Sequence, residues 1–198
     1  MSDSTKGSNS VYKILGASNH TESERESNDY YATEPYAVEL LLEEETFSPN
    51  IWECACGELH ITNVLKNHGY DVKNTDLVDR LHNGDIEICD FLTCDETWNG
   101  DIITNPPYKF AKEFVEHAIE LVSDGRKVAM FLRLQFLEGK ARGEMFKRYP
   151  PKTVYVSSSR LDCAKNGDFE SAGQKAVAYA WFVWEKGFNG DPIIKWIN

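Results

Sequence analysis

From Asn50 to Leu132 the chain alternates short apolar runs with stretches of helical spacing, and this alternation is the feature that most narrows its fold. Strands separated by single helices are joined by crossovers, which gives a mostly parallel sheet with helices on its faces. Pro35 opens a helix whose apolar side is Ala37, Val38, Leu40, Leu41 and Leu42. Asn50 to Cys54 reads as a strand, His60 to His68 as a helix through Ile61, Val64 and Leu65, and Asp71 to Asp76 as a second strand. Ile86 to Phe91 is a weaker third strand and Asp101 to Thr104 a fourth. A helix over Phe110 to Val122 follows, and Val128 to Leu132 has the unbroken apolar character of a strand buried on both faces. Thr153 to Val156 and Ala176 to Trp184 are strand-like with no convincing helix between them, so they are expected to complete the α/β sheet as an antiparallel pair.

Ahead of this pattern, residues 1–28 are rich in Ser, Asn, Glu and Gly and carry few apolar side chains. They are expected to form a flexible tail, with a docking segment at Val11 to Leu15 as the alternative, and residues 29–198 to form one domain. With 198 residues, 41% hydrophobic and 12% aromatic, the chain has ample material for a core. The five cysteines match neither a disulfide framework nor a paired zinc motif, and they read as reduced thiols of a cytoplasmic protein. No run approaches the length of a membrane span. A net charge of −11 opposes adhesion of the whole surface to nucleic acid, so any such contact must be local.

In a doubly wound sheet, ligands bind at the carboxyl ends of the strands, near the point where strand order reverses. Four features fall at such ends. Glu53-Cys54-Ala55-Cys56-Gly57 places a glycine where the chain must turn tightly after the first strand. Asp76 ends the second strand about 20 residues later, where a carboxylate can accept from ribose hydroxyls. Asp90-Phe91 closes the third strand with an acid and an aromatic face that could hold an adenine ring, although taken alone a core Phe beside a surface Asp is the better fit. The fourth feature is Asn105-Pro106-Pro107-Tyr108, directly after a buried strand.

The two prolines fix φ, remove amide donors and push the preceding residues out of the helical region, so the loop is rigid and its carbonyls can stay unpaired. An exocyclic or amide nitrogen is a poor nucleophile because its lone pair is delocalised. If the Asn105 side-chain oxygen and the Pro106 carbonyl accept its two hydrogens, the lone pair gains sp3 character and can be aimed at an electrophile, with the positive charge developing on nitrogen stabilised. Tyr108 can stack on the planar acceptor. No metal is needed for this step.

Asn105 to Tyr108 resembles the catalytic loop of S-adenosylmethionine-dependent amino-methyltransferases, specifically the adenine-N6 DNA methyltransferases in their short, phage-type form. The resemblance spans about Tyr30 to Gly187. It implies a Rossmann-like class I methyltransferase fold with a mostly parallel seven-stranded sheet, S-adenosyl-L-methionine as cofactor, and Asn105, Pro106, Pro107 and Tyr108 as the catalytic loop. Tyr31 and Thr33, in an opening segment similar to the family's, are then cofactor neighbours, together with Glu53, Ala55, Cys56, Gly57, Asp76, Asp90 and Phe91. Cys54 stands where the family usually has proline, and Leu59 where it has glycine.

The residues after the last expected strand are too few for a separate target-recognition domain, which leaves loops to contact DNA. The segment 138–160 carries six basic residues (Lys140, Arg142, Lys147, Arg148, Lys152 and Arg160) against two acids, an expected phosphate-contacting edge in an acidic chain. A solvated helix face is the alternative for that segment. The same four-residue loop also occurs in enzymes that methylate a glutamine amide of translation release factors. RNA amines are a further substrate class, and a nucleoside-binding domain without turnover is the non-enzymatic alternative.

Overall fold

A computed structural model describes residues 31–159, 161, 163–165 and 177–198. The expected N-terminal tail, Tyr30, Arg160, Asp162 and residues 166–176 lie outside the described residues. The elements in chain order are β1 (Tyr31–Thr33), α1 (Pro35–Glu44), β2 (Asn50–Glu53), α2 (His60–Asn67), β3 (Asp71–Asp76), β4 (Glu87–Ile88), β5 (Asp101–Thr104), α3 (Ala111–Leu121), β6 (Lys127–Arg133), α4 (Lys140–Arg148), β7 (Thr153–Ser157), β8 (Cys163–Lys165), β9 (Tyr179–Glu185) and β10 (Ile193–Ile197). Short 3-10 turns cover Phe91–Thr93, Tyr108–Phe110 and Leu134–Leu137.

The main sheet has the order β10-β7-β9-β6-β5-β2-β3-β4. β4, β3, β2, β5 and β6 run parallel, whereas β9 is antiparallel to both β6 and β7. This is the doubly wound α/β arrangement expected from the sequence, with β9 inserted antiparallel as its strand-like segment suggests. Among the described residues the sheet has eight strands rather than seven. β10 adds to its edge parallel to β7, and because Ile193, Ile194 and Trp196 are exposed, β10 lacks the buried-face alternation that marks a strand in sequence. α4 lies outside the helices expected from apolar spacing, and Met145 alone is fully buried among its side chains.

Alternation along the strands divides the core in two. Ile103, Ala129, Phe131, Trp181 and Val183 face α1 and α2, whereas Ile102, Val128, Met130, Phe182 and Trp184 face α3, with Met145 of α4 on the same side. Three tryptophans bury their rings and still satisfy the indole N–H. Trp181 donates to the Ala37 carbonyl (2.6 Å), Trp52 to Thr75 Oγ1 (2.8 Å) and Trp184 to the Tyr149 carbonyl (3.1 Å), which ties the sheet to α1, to β3 and to the end of α4. Strand order reverses between β2 and β5, so the carboxyl ends of these two strands flank the crevice where such folds take ligands.

Candidate active site

The β2 strand delivers Glu53 to the loop 54–59. The Gly57 amide donates to Asp76 Oδ2 (2.8 Å) and the Cys56 amide to the Thr75 carbonyl (3.1 Å), so the first loop is laced to the end of β3. Gly57 has φ +52°, the left-handed conformation that glycine adopts at least cost. Leu59 has φ +67°. A leucine there costs about 1–2 kcal/mol of backbone strain, offset by burial of its side chain against Cys56 and Ile86. The loop therefore keeps a glycine-like turn without the glycine.

Glu53 is buried, and its carboxyl accepts from the Thr62 amide (2.9 Å) and contacts the Thr62 hydroxyl, which also meets Asn74 Oδ1 at 2.6 Å. Burial raises the Glu53 pKa to about 8. A protonated Glu53 resolves the hydrogen count, since one hydroxyl proton cannot serve two acceptors. Glu53 thus pins the start of α2 from inside. Cys54 is a core residue, and Cys56 is buried under the loop. Ala55 is half-buried, packed on the core that faces α3.

Asp76 accepts from Gly57 and, through Oδ1, from the Val78 amide (3.1 Å); burial raises its pKa. Asp90 accepts from the Leu92 amide (3.2 Å) through Oδ1, while its Oδ2 is buried without a hydrogen-bond partner among the described residues. The Phe91 ring turns inward, 2% exposed, against Trp52, Phe114 and His117. This corrects the expectation of an aromatic face for a ligand: the ring that closes the strand is consumed by the core.

Asn105 follows β5 and is fixed by a part of the chain distant in sequence. Its Nδ2 donates to the Tyr31 carbonyl (2.8 Å) and to Thr33 Oγ1 (3.0 Å). Because a main-chain carbonyl only accepts, the nitrogen of the amide must face Tyr31 and the oxygen must face away. That oxygen is buried and, among the described residues, has no hydrogen-bond partner. The Pro107 carbonyl accepts from the Phe110 amide (2.9 Å), whereas among the described residues the Pro106 carbonyl takes no main-chain amide.

Tyr108 packs against Tyr31 (centroids 5.5 Å apart) and Tyr179 (6.0 Å), with the Arg133 guanidinium 4.6 Å from its ring centroid. Its hydroxyl donates to Cys163 Sγ at 3.2 Å, and Asn105 Nδ2 lies 3.7 Å from the same sulfur. Burial pushes the Cys163 thiol up to about 11 and the Tyr108 phenol above its usual range, so both stay neutral and neither is a base near pH 7.

Tyr31, Thr33 and Cys163 reach Asn105 together because β1 and β8 pair as a separate two-stranded sheet, with Thr33 opposite Cys163. Sequence reasoning names Tyr31 and Thr33 but misses Cys163, Arg133 and Tyr179. Arg133 and Tyr179 pair across β6 and β9 at the same end of the sheet as Asn105, a signal available once those strands are placed.

The expected basic edge is not continuous. α4 runs back from the end of β6 towards the start of β7, so Lys140 and Arg142 lie at the candidate-site end and Lys147, Arg148 and Lys152 at the other. At the far end Lys147 pairs with Glu144 (2.8 Å), Arg148 with Glu120 (3.7 Å) and Lys152 with Glu185 (2.6 Å), beside a cavity of about 390 Å³ lined by Tyr149, Trp184 and Phe188. Arg142 donates to the Gln135 carbonyl (3.3 Å) and covers Phe136. Among the described residues no group of acids, cysteines or histidines is arranged for a metal ion, and no helix is long and apolar enough to cross a membrane.

No protein-family profile and no curated protein sequence matches the chain. Solved structures do. A Listeria monocytogenes protein named as a class I S-adenosylmethionine-dependent methyltransferase superposes with a TM-score of 0.59 at 12% identity, over 94% of this chain and 69% of its own. An Agrobacterium tumefaciens protein named as an O-methyltransferase gives 0.57 at 10% identity, over 82% and 84% of the two chains. A Vibrio vulnificus protein named as the modification subunit of a type I restriction enzyme gives 0.59 at 12%, covering 94% of this chain but 54% of its own. The fold is that of the class I methyltransferases.

Proposed function

We propose that the chain is an S-adenosylmethionine-dependent N-methyltransferase acting on the exocyclic N6 amine of adenine in DNA. One observation carries this reading: the Asn105 amide is held through its nitrogen by two acceptors while its oxygen is left buried and unpaired. An orphaned buried acceptor costs about 1–3 kcal/mol. An amine donating into it recovers that cost, so the acceptor is oriented before substrate arrives.

The residues present fit the cofactor. Asp76 beside Gly57 is suited to ribose hydroxyls, and the unpaired Asp90 Oδ2 to the amine of the cofactor's adenine, while the buried Phe91 contributes packing only. S-adenosylmethionine, when bound, supplies an electrophilic methyl on a sulfonium. Asn105 Oδ1 and the Pro106 carbonyl accept the two N–H groups of the substrate amine and localise its lone pair. They also stabilise the positive charge that grows on nitrogen, so no base need act before transfer and the surplus N–H proton passes to water afterwards, which is why neutral Tyr108 and Cys163 suffice around it. Tyr108 offers a ring for the planar base, which must leave the duplex stack to reach it.

The likeness to a restriction-modification subunit supports DNA as the substrate class, and Lys140 and Arg142 at the site end are the basic side chains suited to its phosphates. The test is transfer of labelled methyl from cofactor to DNA, to RNA and to a glutamine-bearing release-factor peptide in parallel. Label in DNA, at adenine, is expected; label in RNA or peptide alone overturns the reading.

A further inference from the structure

Arg133 holds a second orphan. It ends β6, the strand paired with β5, whose end delivers Asn105. Its guanidinium lies over the Tyr108 ring at 4.6 Å, and the Tyr179 hydroxyl lies within hydrogen-bonding reach of it. Its Nε is nonetheless buried with no hydrogen-bond partner among the described residues. An unpaired donor on a charged group is more costly to bury than a neutral one. Tyr108 therefore lies between two residues that each hold a complementary orphan, an acceptor on Asn105 and a donor on Arg133: the nitrogen end of the Asn105 amide and the Tyr108 hydroxyl share the Cys163 sulfur, and Arg133 lies over the Tyr108 ring face.

A planar group that satisfies both must carry an N–H donor next to a lone-pair acceptor. Adenine has this pattern, since its N6 amine is flanked by the ring nitrogens N1 and N7, whereas guanine presents an acceptor, O6, where adenine has the amine. Resting on the function proposed above, we infer that Arg133 Nε donates to N1 or N7, the ring nitrogens on either side of the N6 amine of the target adenine, which makes Arg133 a base-recognition residue. A site built to hydrogen-bond a substrate atom rejects analogues that lack it, because the protein group is then left unpaired.

The experiment is a cycle between protein and substrate. Methyl transfer by the wild type, Arg133→Ala and Arg133→Gln is measured on oligonucleotides whose target is adenine, 7-deazaadenine or 1-deazaadenine, and cofactor affinity is measured for each protein by calorimetry. The wild type is expected to lose about ten- to a hundredfold in kcat/KM on one of the two deaza substrates. Arg133→Ala is expected to lose as much on adenine, to be insensitive to that same deaza change, and to bind cofactor within about twofold of wild type. Arg133→Gln, which keeps an N–H donor, should recover part of the loss on adenine only. Penalties that simply multiply for both deaza substrates overturn the assignment while leaving the function intact, as does a loss confined to cofactor affinity. Absence of wild-type transfer to adenine overturns the function itself.

Discussion

The Asn105 side chain donates to the main-chain carbonyl of Tyr31 at 2.8 Å, so β1 dictates which way the amide of the double-proline loop faces. Without that carbonyl the amide could turn over and offer N–H groups, which would repel an amine donor instead of receiving it.

Asn105→Ala is expected to lower kcat by at least about a hundredfold, the scale for deleting one preorganised polar contact to a developing charge. Cofactor affinity should change by less than about threefold, because Asp76 and the loop 54–59 are untouched. Rapid-quench transfer assays and calorimetry separate the two quantities. Equal loss of both would assign Asn105 a structural role.

Thr33→Val removes the second acceptor of Asn105 Nδ2 and keeps the volume of a buried side chain. Turnover should fall about three- to tenfold, as expected from loss of one hydrogen bond worth about 1 kcal/mol, with the substrate KM nearly unchanged. A kcat equal to wild type would mean that Tyr31 alone fixes the amide.

Much of this arrangement is legible in the sequence. Crossover periodicity locates β2, β3, β5 and β6, and the prolines mark the loop that carries Asn105. What fixes the orientation of Asn105 is not legible, because Tyr31 and Thr33, which hold its nitrogen, sit on a three-residue strand paired with another of three residues, too short for any periodic pattern, and the family resemblance places them beside the cofactor instead. Phe91 misleads because an aromatic at a strand end looks the same whether it faces a ligand or the core, and three surrounding rings decide it here. Leu59 stands where family resemblance expects glycine, yet its backbone adopts a glycine-like φ.

That geometry predicts an inverted stability order at position 59. Leu59→Ala keeps the strain and loses burial, costing about 2–5 kcal/mol on the scale of buried leucine truncations. Leu59→Gly loses the same burial but is freed of about 1–2 kcal/mol of strain, so it should be the more stable of the two. Urea unfolding of both variants checks this, and alanine above glycine contradicts it.

Glu53 gives a pH signature. Its folded-state pKa of about 8 stands above the unfolded value near 4.5, so the protonated carboxyl favours the folded chain. Its contribution is fully present below about pH 4.5, declines through the window between the two values and is lost above about pH 8, at up to about 1.4 kcal/mol per pH unit within the window. Glu53→Gln should flatten that decline in urea midpoints measured from pH 5 to 8.5. An equally steep decline in the variant would assign it to another group.

The split of the basic residues along α4 predicts unequal effects on DNA binding. Neutralising Lys140 and Arg142 to Gln should lower the slope of log affinity against log salt by about 0.9 for each phosphate that is no longer neutralised, whereas the same changes at Lys147 and Arg148, already paired with Glu144 and Glu120, should leave it unchanged. Fluorescence anisotropy across a salt series measures both, and equal slopes for the two pairs would remove Lys140 and Arg142 from the interface.

The central claim is tested most directly by mass spectrometry of nucleosides released from DNA treated with the protein and S-adenosylmethionine. Deoxyadenosine heavier by one methylene unit, fragmenting as the N6 isomer and absent with Asn105→Ala, is the predicted result; unmodified deoxyadenosine alongside a protein that binds both cofactor and DNA would contradict it.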